Sequence, residues 1–123
     1  MKKKILSALL TACMLASALV LPSAAADSYT GSDNERKVYE FAINKLGVNG
    51  AVASAILANI YSESGFRPTA SAKESDGYIS YGICQWHKGR YDALQSYCAS
   101  NGLDYTTIEG QLEYLKYELE NGE

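Results

Sequence analysis

Four stretches of this chain space their apolar residues as helices do, and one stretch between them does not. The first opens on Ser32-x-x-Glu35, a capping-box pattern, and continues through Val38, Phe41, Ala42 and Leu46 to Gly47. Asn49 is placed to cap the second, which runs through Ala51, Val52, Ala55, Ile56 and Ile60 to Glu63. Its small residues Ala51, Ala53, Ser54, Ala55 and Ala58 let a neighbour approach closely, so this helix is expected to be buried. Between Phe66 and Gly82 the helical period disappears. Asp76-Gly77 is a turn signal and Tyr78-Ile79-Ser80-Tyr81 alternates, which predicts a small β-hairpin or extended loop. The helical pattern returns with Tyr91, Leu94, Tyr97 and Cys98, closed by Asn101-Gly102. A last helix follows Thr106-x-x-Glu109 and carries Ile108, Leu112, Leu115 and Leu119. The pattern is that of a mostly helical α+β domain with one irregular insert.

The second helix ends beside that insert, and its last turn carries a carboxylate. Counting back from Glu63, the residues Ile60, Asn59, Ile56 and Val52 place it on an apolar stripe. Gly65 supplies a left-handed cap and Pro68 forbids continuation. Apolar surroundings and the negative end of the helix dipole both disfavour a charged carboxylate there. A proton held in that way is what a general acid needs. The bland alternative is a solvated glutamate at a fraying helix end.

Composition adds an address. Lys2, Lys3 and Lys4 precede an apolar run from Ile5 to Leu21, followed by Pro22 and Ala24-Ala25-Ala26. This reads as a secretory signal peptide over residues 1–26, with a retained N-terminal anchor as the alternative. Leu10-Thr11-Ala12-Cys13 resembles a bacterial lipoprotein box, but the apolar stretch before Cys13 is short and continues past it. Residues 27–34 are expected to be an unstructured segment and 35–123 the domain. Because three of the 11 basic residues lie in the leader, Asp27–Glu123 sets 8 of them against all 14 acidic ones, a net charge of −6. That balance argues against nucleic acid and against an anionic membrane as partners, and no stable membrane insertion is expected after cleavage. Neutral sugar polymers remain, gripped by aromatic faces and hydrogen bonds.

Several constellations carry candidate chemistry. Glu74, Asp76 and Gly77 imitate part of a calcium loop, but Ala72 and Ile83 fall where essential ligands belong, so no metal is expected. No cofactor is implied. Cys84 and Cys98, the two cysteines left after cleavage, permit one disulfide; against it, Cys98 lies well along a helix that starts after Cys84. Cys84 and His87 are the thiol and imidazole of a conceivable Cys–His peptidase, with no third group evident to orient the only histidine. In Gly82-Ile83-Cys84-Gln85-Trp86, Gly82 permits close approach, Gln85 offers an amide and Trp86 a flat face for a sugar ring. The alternative is a loop buried for packing.

Taken together, Ala58-Asn59-Ile60-Tyr61-Ser62-Glu63-Ser64-Gly65-Phe66-Arg67-Pro68 and Ser80-Tyr81-Gly82-Ile83-Cys84-Gln85-Trp86 resemble the lysozyme-like superfamily, including soluble lytic transglycosylases. Glu35-Arg36-Lys37-Val38-Tyr39, Leu57-Ala58-Asn59-Ile60, Gln85-Trp86-His87 and Glu109-Gly110-Gln111-Leu112 are similar to motifs of the phage tail lysozyme family. The resemblance implies a lysozyme-like α+β fold and a secreted enzyme that cleaves β-1,4 bonds of peptidoglycan glycan strands. Glu63 would be its general acid. Glu74 and Asp76 are the nearby candidates for a second carboxylate, and Gln85, Trp86, His87, Tyr81 and Gly82 would line the cleft. The resemblance also implies further helices beyond Glu118–Asn121, hence a domain incomplete at its C-terminus. The competing readings are a non-catalytic wall-binding module, a lytic transglycosylase and, more distantly, the Cys–His peptidase.

Overall fold

The computed structural model describes residues 32–122. The signal-peptide reading, Cys13 and residues 27–31 lie outside them. Helices α1 (Asp33–Asn44) and α2 (Gly50–Ser64) come first, then the strands β1 (Ser71–Lys73), β2 (Ile79–Tyr81) and β3 (Trp86–His87). Helices α3 (Gly89–Ser100) and α4 (Ile108–Asn121) complete the described chain. It is a mostly helical α+β architecture, consistent with a lysozyme-like fold.

Local chemistry sets most of these ends. The Ser32 hydroxyl accepts from the Glu35 amide, so α1 begins at Asp33 and takes in Asp33 and Asn34, which the sequence reading left unstructured. Asn49 caps α2 by accepting from the Val52 amide at 3.0 Å. Gly65 closes that helix at φ 59°, with its N–H on the Tyr61 carbonyl. The cap of α4 is Thr107 rather than Thr106: Thr107 accepts from the Gly110 amide, while Thr106 turns back to the Asp104 carboxylate. A Cβ at Gly110 would overlap the Asp104 carbonyl, so this tight entry requires glycine.

The strands form one antiparallel sheet in the order β1-β2-β3, with Ala72 opposite Ser80 and Tyr81 opposite Trp86. The expected hairpin is therefore present, its turn spanning residues 74–78. The core gathers Val38 and Ala42 of α1, Ala53, Ile56 and Ile60 of α2, Leu94 and Cys98 of α3, and Ile108 and Leu112 of α4 around Ile83 and Trp86. Helix α1 packs on α2 and α4, and α3 packs on α4 and β3.

One ionic tie locks the end of α4 onto this core. Glu118 accepts from Arg90 Nε at 2.7 Å and Nη2 at 2.8 Å and from the Trp86 indole at 3.0 Å. Burial works against its charge, but the Arg90 and Trp86 hydrogen bonds prevail and hold the carboxyl below its usual range. A depressed folded value means that the tie stabilises fully above the ordinary glutamate range and is lost as pH falls through the folded value. Glu118→Gln is thus expected to lose about 2 kcal/mol at pH 7 in urea unfolding. The gap from the parent should narrow in acid; an equal gap at every pH would contradict the tie.

Candidate active site

The last turn of α2 and the loop Gly82–Trp86 meet through one buried hydroxyl. Ser64 donates to Ile60 within its helix and reaches across to the Ile83 carbonyl at 3.1 Å. This fixes which face of α2 is inside: Ala53, Ile56, Leu57, Ile60 and Ser64. The stripe is displaced by one residue from the one inferred through Glu63. Glu63 is exposed, and the apolar surroundings expected for it are absent. Its carboxylate makes no hydrogen bond or ion pair among the described residues, and it stands close enough to Cys84 to disfavour the thiolate.

The loop opposite is pinned by one buried amide. Gln111 of α4 is fully buried; its oxygen accepts from the Ile83 amide at 2.8 Å, and its nitrogen donates to the Pro68 and Tyr105 carbonyls, both at 2.7 Å. One amide therefore joins α4, the loop after α2 and the loop after β2. Gly82, at φ 80°, is the point where it fits, since a Cβ there would lie 2.7 Å from the Gln111 oxygen. Gly82 is buried beneath Gln111 and not open to a sugar, which corrects its assignment to the cleft lining.

The other expected lining residues divide. Gln85, half-buried, folds its amide back onto the Ala70 and Gly82 carbonyls and fastens the root of the hairpin. Trp86 has 0% exposure, edge-on to Tyr114 with its N–H on Glu118, so its flat face is core and unavailable to substrate. Tyr81 is half-buried, stacked on Tyr91 at 4.9 Å and tilted against Tyr105. His87 uses both ring nitrogens, one toward Ser80 at 3.3 Å and one toward Asp76 at 2.9 Å.

The two further carboxylates also differ. Asp76 takes the Tyr78 amide, His87 and Lys88, and chiefly the Lys88 ammonium holds its carboxyl well below the usual range. Glu74, exposed on the same turn, makes no side-chain hydrogen bond or ion pair among the described residues. Cys84 and Cys98 are free thiols, so the disulfide is not formed. Burial pushes the Cys84 thiol up to about 12, the opposite of what a nucleophile needs, and no hydrogen bond joins it to His87 among the described residues. The orienting group that the sequence did not reveal for His87 is Asp76, but it orients the ring toward Ser80 and not toward the thiol.

Helix α2 thus ends in a carboxylate unpaired among the described residues, is braced by the Gly82–Trp86 loop and is followed by a short hairpin. The profile described as phage tail lysozyme matches residues 33–123. The chain belongs to the phage tail lysozyme family. No curated protein and no solved structure matches it. Membership makes this a lysozyme-type protein that acts on peptidoglycan, and hence on the cell wall. Among the described residues, no helix is long and apolar enough to cross a membrane. Within this phage tail lysozyme domain, the sequence pattern signals no separate role for Gln111, Ser64, Glu118 or Lys88; Gln111 and Ser64 are marked only by lying in the segments that resemble the family.

Proposed function

We propose that this chain is an exported muramidase that cleaves β-1,4 MurNAc–GlcNAc linkages, with Glu63 as general acid. The observation that carries the reading is the state of Glu63. It is fixed in backbone by a capped helix end and a buried Ser64–Ile83 tie, while its carboxyl is exposed and unclaimed among the described residues. A general acid requires both a set position and unobstructed access to the glycosidic oxygen. Glu74 is the candidate for the second carboxylate, because Asp76 is already engaged by the Lys88 ammonium and the His87 ring. The charged and apolar pattern of Lys2–Leu21 supports export.

The engagement of Asp76 and the solvent exposure of Glu74 favour one second reading, lytic transglycosylation, in which no carboxylate activates water. Mass spectrometry of muropeptides released from purified cell wall separates the outcomes. Hydrolysis is expected to give shortened strands with reducing MurNAc ends; 1,6-anhydro ends would establish the transglycosylase instead. Released peptides with intact glycan, or pelleting with the wall without products, would overturn both.

A further inference from the structure

The hairpin that follows the Glu63 helix has little to hold it. Residues 71–79 are all exposed, β1 and β2 pair over three residues each, and β3 contributes two. A ribbon this short is marginal by itself. Its turn is nevertheless tied to the corner between β3 and α3 by one side chain. The Asp76 carboxylate caps its own turn through the Tyr78 amide at 3.1 Å, then reaches His87 at 2.9 Å and Lys88 at 2.7 Å. The Lys88 ammonium also lies 5.0 Å from the Tyr78 ring centre, and that ring meets His87 edge-on. Lys88 adopts φ 50° and ψ −128°, a backbone state that residues other than glycine rarely take. The corner is thus held in an unfavourable conformation whose side chain points its charge at the turn. Beyond His87 the chain of contacts continues to Ser80, which sits opposite it in the sheet.

We infer that Asp76 is a positioning residue: it clasps the tip of the β1–β2 hairpin to His87 and Lys88, and so sets where Glu74 and the hairpin edge stand against a bound glycan strand. The inference rests on the muramidase reading for its substrate. The hairpin is rooted where Gly82 and Gln85 bond Ala70, one step from the Ser64–Ile83 contact that fixes the end of α2. A clasp at the tip therefore governs the far end of a lever whose near end is already rigid. Opening it leaves the Glu63 helix unchanged and lets the hairpin sample other positions. The effect belongs on strand binding more than on the bond-breaking step.

The test uses Asp76→Asn, which keeps the acceptor for the Tyr78 amide and removes the charge, together with Lys88→Met and the double variant. Amide hydrogen exchange reads the clasp without any reference to activity. Exchange at Glu74 and Gly77, whose N–H groups bond within the turn, is expected to rise about fivefold in each single variant and no further in the double. On glycan strands, KM is expected to rise about fivefold with kcat within about twofold. If the parent cleaves nothing, pelleting with cell wall replaces KM, so failure of the enzymatic reading remains distinct from failure of the clasp. Unchanged exchange in the single variants would overturn the inference. So would a loss of kcat of about 100-fold or more at unchanged KM, which would make Asp76 part of the chemistry.

Discussion

Gln111→Leu is expected to lose about 4 kcal/mol of stability, a large share of the roughly 5–15 kcal/mol that separates folded from unfolded domains. The leucine fills similar space but leaves three backbone groups without their partner: the Ile83 N–H and the Pro68 and Tyr105 carbonyls. Each polar group so stranded costs about 1–3 kcal/mol, and Gln111 has no exposure through which water replaces it. Because the same amide joins α4 to both loops beside Glu63, the loss is structural first and functional second. Urea unfolding followed by circular dichroism reads it directly. Gly82→Ala is expected to fail in the same direction, since its Cβ would enter the space of the Gln111 oxygen at a positive φ. A Gln111→Leu protein within about 1 kcal/mol of the parent would show that the loop does not depend on this bond.

The parts of the fold that were legible in the sequence are those decided by neighbours along the chain. The caps at Ser32 and Asn49, the left-handed Gly65 and the Asp76-Gly77 turn each depend on a side chain or glycine within four residues of its target. Where two such signals stand side by side, the chain alone is ambiguous: Thr106 and Thr107 both fit a cap, and the Asp104 carboxylate three-dimensionally claims the first. The face on which Glu63 lies is ambiguous in the sequence for a related reason. Small apolar residues fill much of helix α2, so the stripes through Val52 and through Ala53 share Ile56 and Ile60, and Val52, Asn59 and Glu63 of one give way to Ala53, Leu57 and Ser64 of the other. What selects the second is Ser64, a polar residue that can be buried because Ile60 and Ile83 accept from its hydroxyl. That partner lies 19 residues away and leaves no trace in a helical period.

Trp86 was misjudged by the same kind of distance. Beside an amide and a glycine its ring reads as a sugar platform, whereas Glu118, 32 residues on, satisfies its N–H and permits full burial. The engagement of Asp76 likewise depends on His87 and Lys88, which the sheet register brings beneath the turn. By contrast, the joint presence of the Glu63 segment and the Gly82–Trp86 segment was enough to point to the family, because their combination survives even where individual roles were misassigned.

Glu63 is the proposed donor of the proton that breaks the glycosidic bond. Glu63→Gln keeps the length and polarity of the side chain, touches no hydrogen bond among the described residues and removes only the acidic proton. Folding and wall binding are therefore expected to be retained, and the rate of bond cleavage to fall by about 10²–10⁴, the usual contribution of a positioned general acid. That decrease should be in kcat and in kcat/KM alike, because the proton moves only in the transition state. It also separates Glu63 from the clasp at Asp76, where the change is expected in KM. The decisive measurement is the initial rate of new glycan ends formed from purified peptidoglycan by Glu63→Gln and by the parent protein at equal folded concentration. A general-acid role for Glu63 requires a loss of about 100-fold or more with unaltered wall binding. Cleavage by Glu63→Gln at the parent rate would contradict it.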